Sequence, residues 1–434
     1  MRTLFRALFA GTLALLARAI VRKYHPTIVM VTGSVGKTST KDAVAATLST
    51  SYHVRKSEKG FNSDFGVPFT IMGVQNPWRS VPAWLNLFGE ALALIFLPNR
   101  YPNMLVLEVG ADAPGDLARI LKIATPNAVV VTLLPSVPVH VEAYETPAAV
   151  REEEFAPAFA LPPHSPLIIS CEDDYALNLS KKLDVHMSSF GTGSDATVRI
   201  TDIGVWMGDK GGKSGHIPQG MQATFVIDGT SYPFHVVGVF GRTQLNAPAA
   251  AIAAALSLGV PVKTALTSLA TYSPPPGRGR LFAGKKNILL IDDTYNSSPV
   301  AAEEILKSMA LLPRSVHRVA ILGDMLELGR YSAAEHIRIG HIAKESVDLL
   351  ITVGPRAQAI GEAALADGMP EGSVFAFNNS IDASEAIGDH LQEGDVVLVK
   401  GSQGVRLERI TEALLADSSD ASELVRQEKE WLKR

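Results

Sequence analysis

The run Thr32-Gly-Ser-Val-Gly-Lys-Thr-Ser39 holds residue types that handle phosphate. Gly33 and Gly36 allow tight backbone approach, and backbone amides at a helix start near Lys37 then cradle anionic oxygens. Lys37 reaches the β- and γ-phosphates of a nucleotide, and the Thr38 hydroxyl suits Mg²⁺. The apolar run Ile28–Val31 precedes this loop and a helical stretch follows it, the strand–loop–helix context such a motif requires. Gly33, Ser34, Gly36, Lys37, Thr38 and Ser39 are therefore the nucleotide-binding candidates. The spacing is tighter than the general G-x-x-x-x-G-K-[ST] pattern, because Val31 stands where that pattern has its first glycine.

Short apolar runs at Ile28–Val31, Met104–Leu107, Ala128–Leu133 and Leu167–Ser170 read as buried parallel strands. The same rhythm returns at Ile288–Ile291, Val319–Leu322, Leu349–Val353 and Val396–Val399, with helical stretches between. The fold class is α/β: two doubly wound units, a P-loop ATPase domain with a parallel sheet and a C-terminal Rossmann-like domain. Ser273-Pro-Pro-Pro-Gly-Arg-Gly-Arg280 is the clearest linker. The expected segments are an apolar and basic N-terminal helix at 1–26, a central domain at 27–278, a C-terminal domain at 279–416 and a loosely held charged tail at 417–434. Met207–His216 reads as an exposed loop between strands.

Further motifs follow in a telling order. Asn62 precedes Ser63-Asp-Phe-Gly-Val-Pro68, and Leu107-Glu-Val-Gly-Ala111 ends a strand. Ile291-Asp-Asp-Thr-Tyr-Asn296, Leu322-Gly-Asp-Met-Leu-Glu-Leu-Gly329 and Val399-Lys-Gly-Ser402 lie after the linker. With the compact phosphate loop, these motifs resemble the Mur ligase family. They are most similar to the branch that adds D-alanyl-D-alanine to a UDP-N-acetylmuramoyl tripeptide, and motif order carries the resemblance from about Thr27 to Leu415.

The resemblance implies an ATP-dependent amide ligase of cell-wall precursor synthesis, acting through an acyl phosphate with two Mg²⁺ ions and joining a carboxylate acceptor to a peptide or amino-acid amine. It implies phosphate contacts for Lys37 and metal contacts for Thr38, Glu108 and His140. Asp293 and Asn296 would touch nucleotide or ribose, and Arg278 or Arg280 a phosphate across the domain cleft. Asp324, Glu327, Lys400 and Ser402 would shape the amine pocket. The family's adenine-region H-N-x-x-N is degraded here to Thr243-Gln-Leu-Asn-Ala247, with Gln244 or Asn246 as substitutes. The branch's Lys-Gly-Ser-Arg reads Lys400-Gly-Ser-Gln403. The position of the family's carbamylated lysine, 14 residues after His140, is Glu154, and no lysine occurs between Lys122 and Lys181. Glu154 is accordingly the expected replacement for the carbamate, with Glu153 next.

Only about 26 residues precede the first strand, so the family's UDP-gripping domain is expected to be absent. That leaves three acceptor readings open: a UDP-linked acceptor held by the remaining domains, the same acceptor held with a partner chain, or a lipid-linked one. A cyanophycin-synthetase-like ligase and a nucleotide-binding partner subunit are the rival functions.

Lys+Arg 40 against Asp+Glu 44 gives a formal charge of −4, which supplies no basic excess for nucleic acid. A single cysteine, Cys171, excludes a disulfide framework and fits a cytoplasmic protein. In the first 25 residues the uncharged stretch Ala7–Ala17 is shorter than the ~20 residues of a spanning helix. Arg2, Arg6, Arg18, Arg22 and Lys23 flank it. A membrane-surface helix, a helix packed on the protein and a signal or span all remain open for this segment. Ala83–Pro98 reads as a buried or interfacial helix.

Overall fold

The computed structural model describes residues 2–58, 60–78, 80–207, 217–270, 272–427 and 431. Most of the loop expected at Met207–His216 lies outside the described residues. The chain divides into two compact units, residues 1–199 with 246–272, and residues 200–245 with 273–434.

The first unit is built on parallel strands β1 (Thr27–Thr32), β2 (Val54–Lys56), β3 (Met104–Glu108), β4 (Ala128–Val131), β5 (Pro166–Ser170) and β6 (His186–Gly191), in the order β2-β3-β1-β4-β5-β6. The start of β7 (Val198–Trp206) pairs with β6 through Phe190 and Gly191. β3 and β4 are buried throughout and β1 almost so, which accounts for unbroken runs such as Met104-Leu-Val-Leu107. β1 lies between β3 and β4, and the strand order reverses there. In an open parallel sheet, the crevice beyond the carboxyl ends of such strands is where ligands bind. The phosphate loop leaves the end of β1, and Glu108 is the last residue of β3.

The N-terminal helix Arg2–Tyr24 buries Leu13, Ala17 and Ile20 in the core of this unit. Their spacing of four and three places them on one helical face. The Lys23 ammonium donates to the carbonyls of Leu94 and Leu97 at the end of the helix Val81–Phe96. That helix is half-buried: Leu87, Ala91 and Leu94 face inward, while Val81, Leu85, Leu92 and Phe96 are exposed. No helix among the described residues is long and apolar enough to cross a membrane.

The second unit holds the remainder of β7, an antiparallel hairpin of β8 (Gly220–Ile227) and β9 (Thr230–Val237), and a six-stranded sheet. The sheet comprises β10 (Arg280–Ala283), β11 (Leu289–Asp293), β12 (Arg318–Gly323), β13 (Leu349–Val353), β14 (Val374–Phe377) and β15 (Val396–Lys400), in the order β10-β11-β15-β12-β13-β14. Only β10 is antiparallel to its neighbour in this sheet. The register of β11 with β15 sets Asp293 directly beside Lys400, at the carboxyl end of both strands.

Within the charged tail, residues 424–426 are anchored on the second unit. Leu424 and Val425 are buried, and the Arg426 guanidinium meets Glu408 at 2.8 Å while donating to the carbonyls of Thr294 and Tyr295. A long cationic side chain here serves as an internal tie, a use that sequence polarity does not reveal.

Candidate active site

The phosphate loop is shaped by two glycines. Gly33 has φ +116°, and a Cβ there would lie 2.3 Å from the Thr132 hydroxyl oxygen. Gly36, at φ +85°, precedes the helix Lys37–Leu48. Both conformations are open to glycine at little cost. The Lys37 ammonium donates to the Gly33 carbonyl across the loop. Gly110 keeps room for it, since a Cβ there would stand 3.3 Å from Lys37 Cε. The E-x-G motif and the loop lysine are therefore in contact.

Two acidic residues flank the loop. Glu108 Oε1 accepts from the Thr38 hydroxyl at 3.0 Å. Its Oε2 is buried with no hydrogen-bond partner, 4.0 Å from Lys41 Nζ. An orphaned, buried carboxylate oxygen beside a threonine hydroxyl is a donor set that suits hard Mg²⁺. Glu154 lies on the other side, on the helix Pro147–Phe159, and is 2% exposed. Its Oε2 accepts from the Thr32 hydroxyl at 3.0 Å and from the Gly33 amide at 3.3 Å, and its Oε1 stands 3.5 Å from Lys37 Nζ. Glu153 turns elsewhere and accepts from the Leu117 amide.

His140 opens the short turn Val141–Ala143 with a left-handed φ of 63°, and its Nε2 lies 3.6 Å from Asp112 Oδ1. Among the described residues, no three His, Cys, Asp or Glu side chains gather as a ready-made metal cage. Thr38 with Glu108, and Lys37 with Glu154, form two adjoining pairs. Asn246 belongs to this unit, in the helix Thr243–Ser257.

The second unit gathers its candidates at the carboxyl ends of β11, β12 and β15. Lys400 is 2% exposed; its ammonium contacts Asp293 Oδ2 at 2.6 Å and the Asn296 carbonyl at 3.0 Å. Burial pushes the neighbouring Asp292 carboxyl up to about 6. Ser402 accepts from the Leu326 amide and donates to the Ser297 carbonyl. Asp324 Oδ1 accepts from the amides of Arg356 and Ala357. Glu327 sits in a left-handed conformation at φ 65°. Gln244 is buried beside Gly279. Arg278 lies over the Tyr295 ring at 4.3 Å, and Arg280 pairs with Glu423 at 2.8 Å.

Three positioning residues escaped the motif reading. Lys41 is 2% exposed and bridges the Ser57 carbonyl and Asp42 behind Glu108. Arg426 ties down the turn after Asp293. His336 accepts from the Met325 amide through Nε2, while its Nδ1 donates to the Ser332 carbonyl. Burial holds this imidazole below the usual histidine range, consistent with a neutral ring that accepts at Nε2. Only Lys41, one helical turn after Lys37, offered a signal in spacing.

Comparison with known proteins places this geometry. Residues 31–255 match the family described as Mur ligase middle domain, and residues 277–403 match Mur ligase, glutamate ligase domain. The UDP-N-acetylmuramoyl-tripeptide–D-alanyl-D-alanine ligase of Bacillus subtilis is 25% identical over 402 residues, covering 92% of this chain and 78% of the relative. The Escherichia coli ligase of the same name is 27% identical over 402 residues, covering 91% and 78%. The crystal structure of MurF ligase from Thermotoga maritima in complex with ADP shares the fold, with a TM-score of 0.73 at 23% identity over 93% of this chain and 83% of that one. The middle-domain match alone spans more than half of the sequence and begins on the strand that carries the phosphate loop, so the chain belongs to the Mur ligase family.

Proposed function

We propose that this chain is an ATP-dependent carboxylate–amine ligase that adds D-alanyl-D-alanine to a UDP-N-acetylmuramoyl tripeptide in peptidoglycan precursor synthesis. The observation that carries the reading is that ligases of this one activity align with more than nine-tenths of the chain. In the reaction, a substrate carboxylate oxygen attacks the γ-phosphorus and ADP leaves. The amine then attacks the acyl carbon, and phosphate departs with that oxygen while the nitrogen loses a proton. Such a ligase must hold three substrates together and neutralise crowded anions.

In this reading the amides of Gly33 to Ser39 cradle the phosphates, and Lys37 places its charge where negative charge develops. Thr38 and Glu108 would hold Mg²⁺, which supplies Lewis-acid charge neutralisation when bound. Asp324, Lys400 and Ser402 act as positioning residues, because their polar atoms secure the loops at the ends of β12 and β15. Glu327 lies on the loop that follows β12 and is kept as a candidate for the amine pocket on the family resemblance.

Glu154 is assigned as the counter-charge that positions Lys37, because its carboxylate is engaged with the loop itself. Glu154→Gln is expected to lower kcat about 10²-fold, the scale of a small misplacement near the chemistry, with the Mg²⁺ concentration for half-maximal rate unchanged. A sharply raised Mg²⁺ requirement would instead make Glu154 a metal ligand in place of the family's carbamate.

Phosphate release tests the substrate assignment. Release is expected only when ATP, UDP-N-acetylmuramoyl tripeptide and D-alanyl-D-alanine are all present. Equal release with free amino acids or without the UDP-linked acceptor would contradict it, and release with a lipid-linked acceptor alone would redirect it.

A further inference from the structure

A cavity of about 640 Å³ lies beside the C-terminal part of the N-terminal helix, lined among others by Arg18, Arg22, His25, Lys122, Thr125 and Asn127. Its wall carries four basic side chains and no Asp or Glu. Arg18 and Arg22 stand one turn apart on the helix, and His25 follows the helix end with a left-handed φ of 47°. Arg18 Nε is buried with no hydrogen-bond partner. The Asn127 side-chain oxygen accepts from the Ile28 amide and fixes the cavity floor at the start of β1. The phosphate loop follows the other end of that strand. At ~3.3 Å per residue, the six residues of β1 separate the two ends by roughly 20 Å.

We propose that this cavity is a second anion site, which binds a phosphate-bearing ligand with at least two negative charges. Guanidinium forks match the oxygens of phosphate in paired contacts. Two arginines one turn apart, with Lys122 and His25 beside them, provide for more than one phosphate oxygen pair. The cavity exceeds the volume of a lone phosphate and so leaves space for the group that carries it. The ligand is either a soluble phosphate ester or diphosphate, or the headgroup of an anionic lipid. The site is separate from the proposed ATP site and does not depend on the ligase reading.

Titration calorimetry with inorganic pyrophosphate tests it on the full chain carrying Lys37→Ala, which weakens the competing phosphate loop. One binding event per chain is expected. Arg22→Gln and Lys122→Gln, both at exposed positions, should each weaken it about tenfold or more, whereas Arg22→Lys retains most of the affinity. Melting curves of the same variants confirm that they are folded. A second arm compares vesicles of phosphatidylcholine with vesicles that also contain phosphatidic acid. Retention on the latter that is lost in the two Gln variants identifies a lipid headgroup as the source. Pyrophosphate binding without vesicle retention identifies a soluble ligand. No pyrophosphate binding, or binding that both Gln variants leave unchanged, overturns the proposal.

Discussion

Lys37→Ala is expected to abolish ATP turnover while leaving the fold intact. The ammonium is held inside the loop by the Gly33 carbonyl and stands 3.5 Å from Glu154, with 14% of its side chain exposed. It is thus a preorganised charge, already aimed before nucleotide arrives. Losing one preorganised donor at a developing charge typically costs 10²–10³-fold in rate. A full positive charge on the transferring phosphoryl group should exceed that, so a loss of about 10³-fold or more is expected. The fold should survive because Glu154 keeps two donors, the Thr32 hydroxyl and the Gly33 amide. Phosphate release and a melting curve on the same preparation check both halves. Turnover near that of the wild type in a folded variant would remove the phosphate loop from the mechanism.

The second large effect is expected in the other unit. Lys400→Met should destabilise that unit by about 3–5 kcal/mol, the usual cost of removing one partner of a buried ion pair. The substitution preserves length and apolar volume but strands the Asp293 carboxylate, which is 8% exposed, 107 residues away in sequence. It also removes the donor to the Asn296 carbonyl and so loosens the turn that carries the D-D-T-Y-N motif. The double variant Asp293→Asn, Lys400→Met should recover at least half of the loss, since no unpaired charge then remains. Chemical denaturation of the full chain measures both variants. An unchanged midpoint in the single variant would mean that the pair contributes nothing to the fold.

Much of this was legible in the chain, and the reasons differ from one feature to another. Strands such as Met104–Leu107 and Val396–Val399 are apolar throughout because helices cover both faces of a parallel sheet. The phosphate loop could be read because its glycines answer a local backbone demand, visible at Gly33 and Gly36. The pairing of Asp293 with Lys400 was not legible, since strand register and not local sequence sets them side by side. Read as motifs, Asp293 suggested a nucleotide contact and Lys400 a place in the amine pocket, with nothing to link the two. The N-terminal helix was ambiguous because Leu13, Ala17 and Ile20 would suit a bilayer as well as a protein core. Arg18 and Arg22 looked like membrane-surface charge, and only the fold brings Lys122 to the same cavity. The Glu154 contacts depend on a helix more than 100 residues from the loop, which spacing alone could not orient.

The central claim is that this chain activates a substrate carboxylate with ATP and passes it to an amine. The most direct test follows oxygen. With ¹⁸O in the terminal carboxylate of the UDP-N-acetylmuramoyl tripeptide, and with ATP and D-alanyl-D-alanine present, the inorganic phosphate should carry one ¹⁸O for each amide bond formed. Phosphate without label, released while ATP is consumed, would show that water rather than the carboxylate takes the phosphoryl group and would contradict the account.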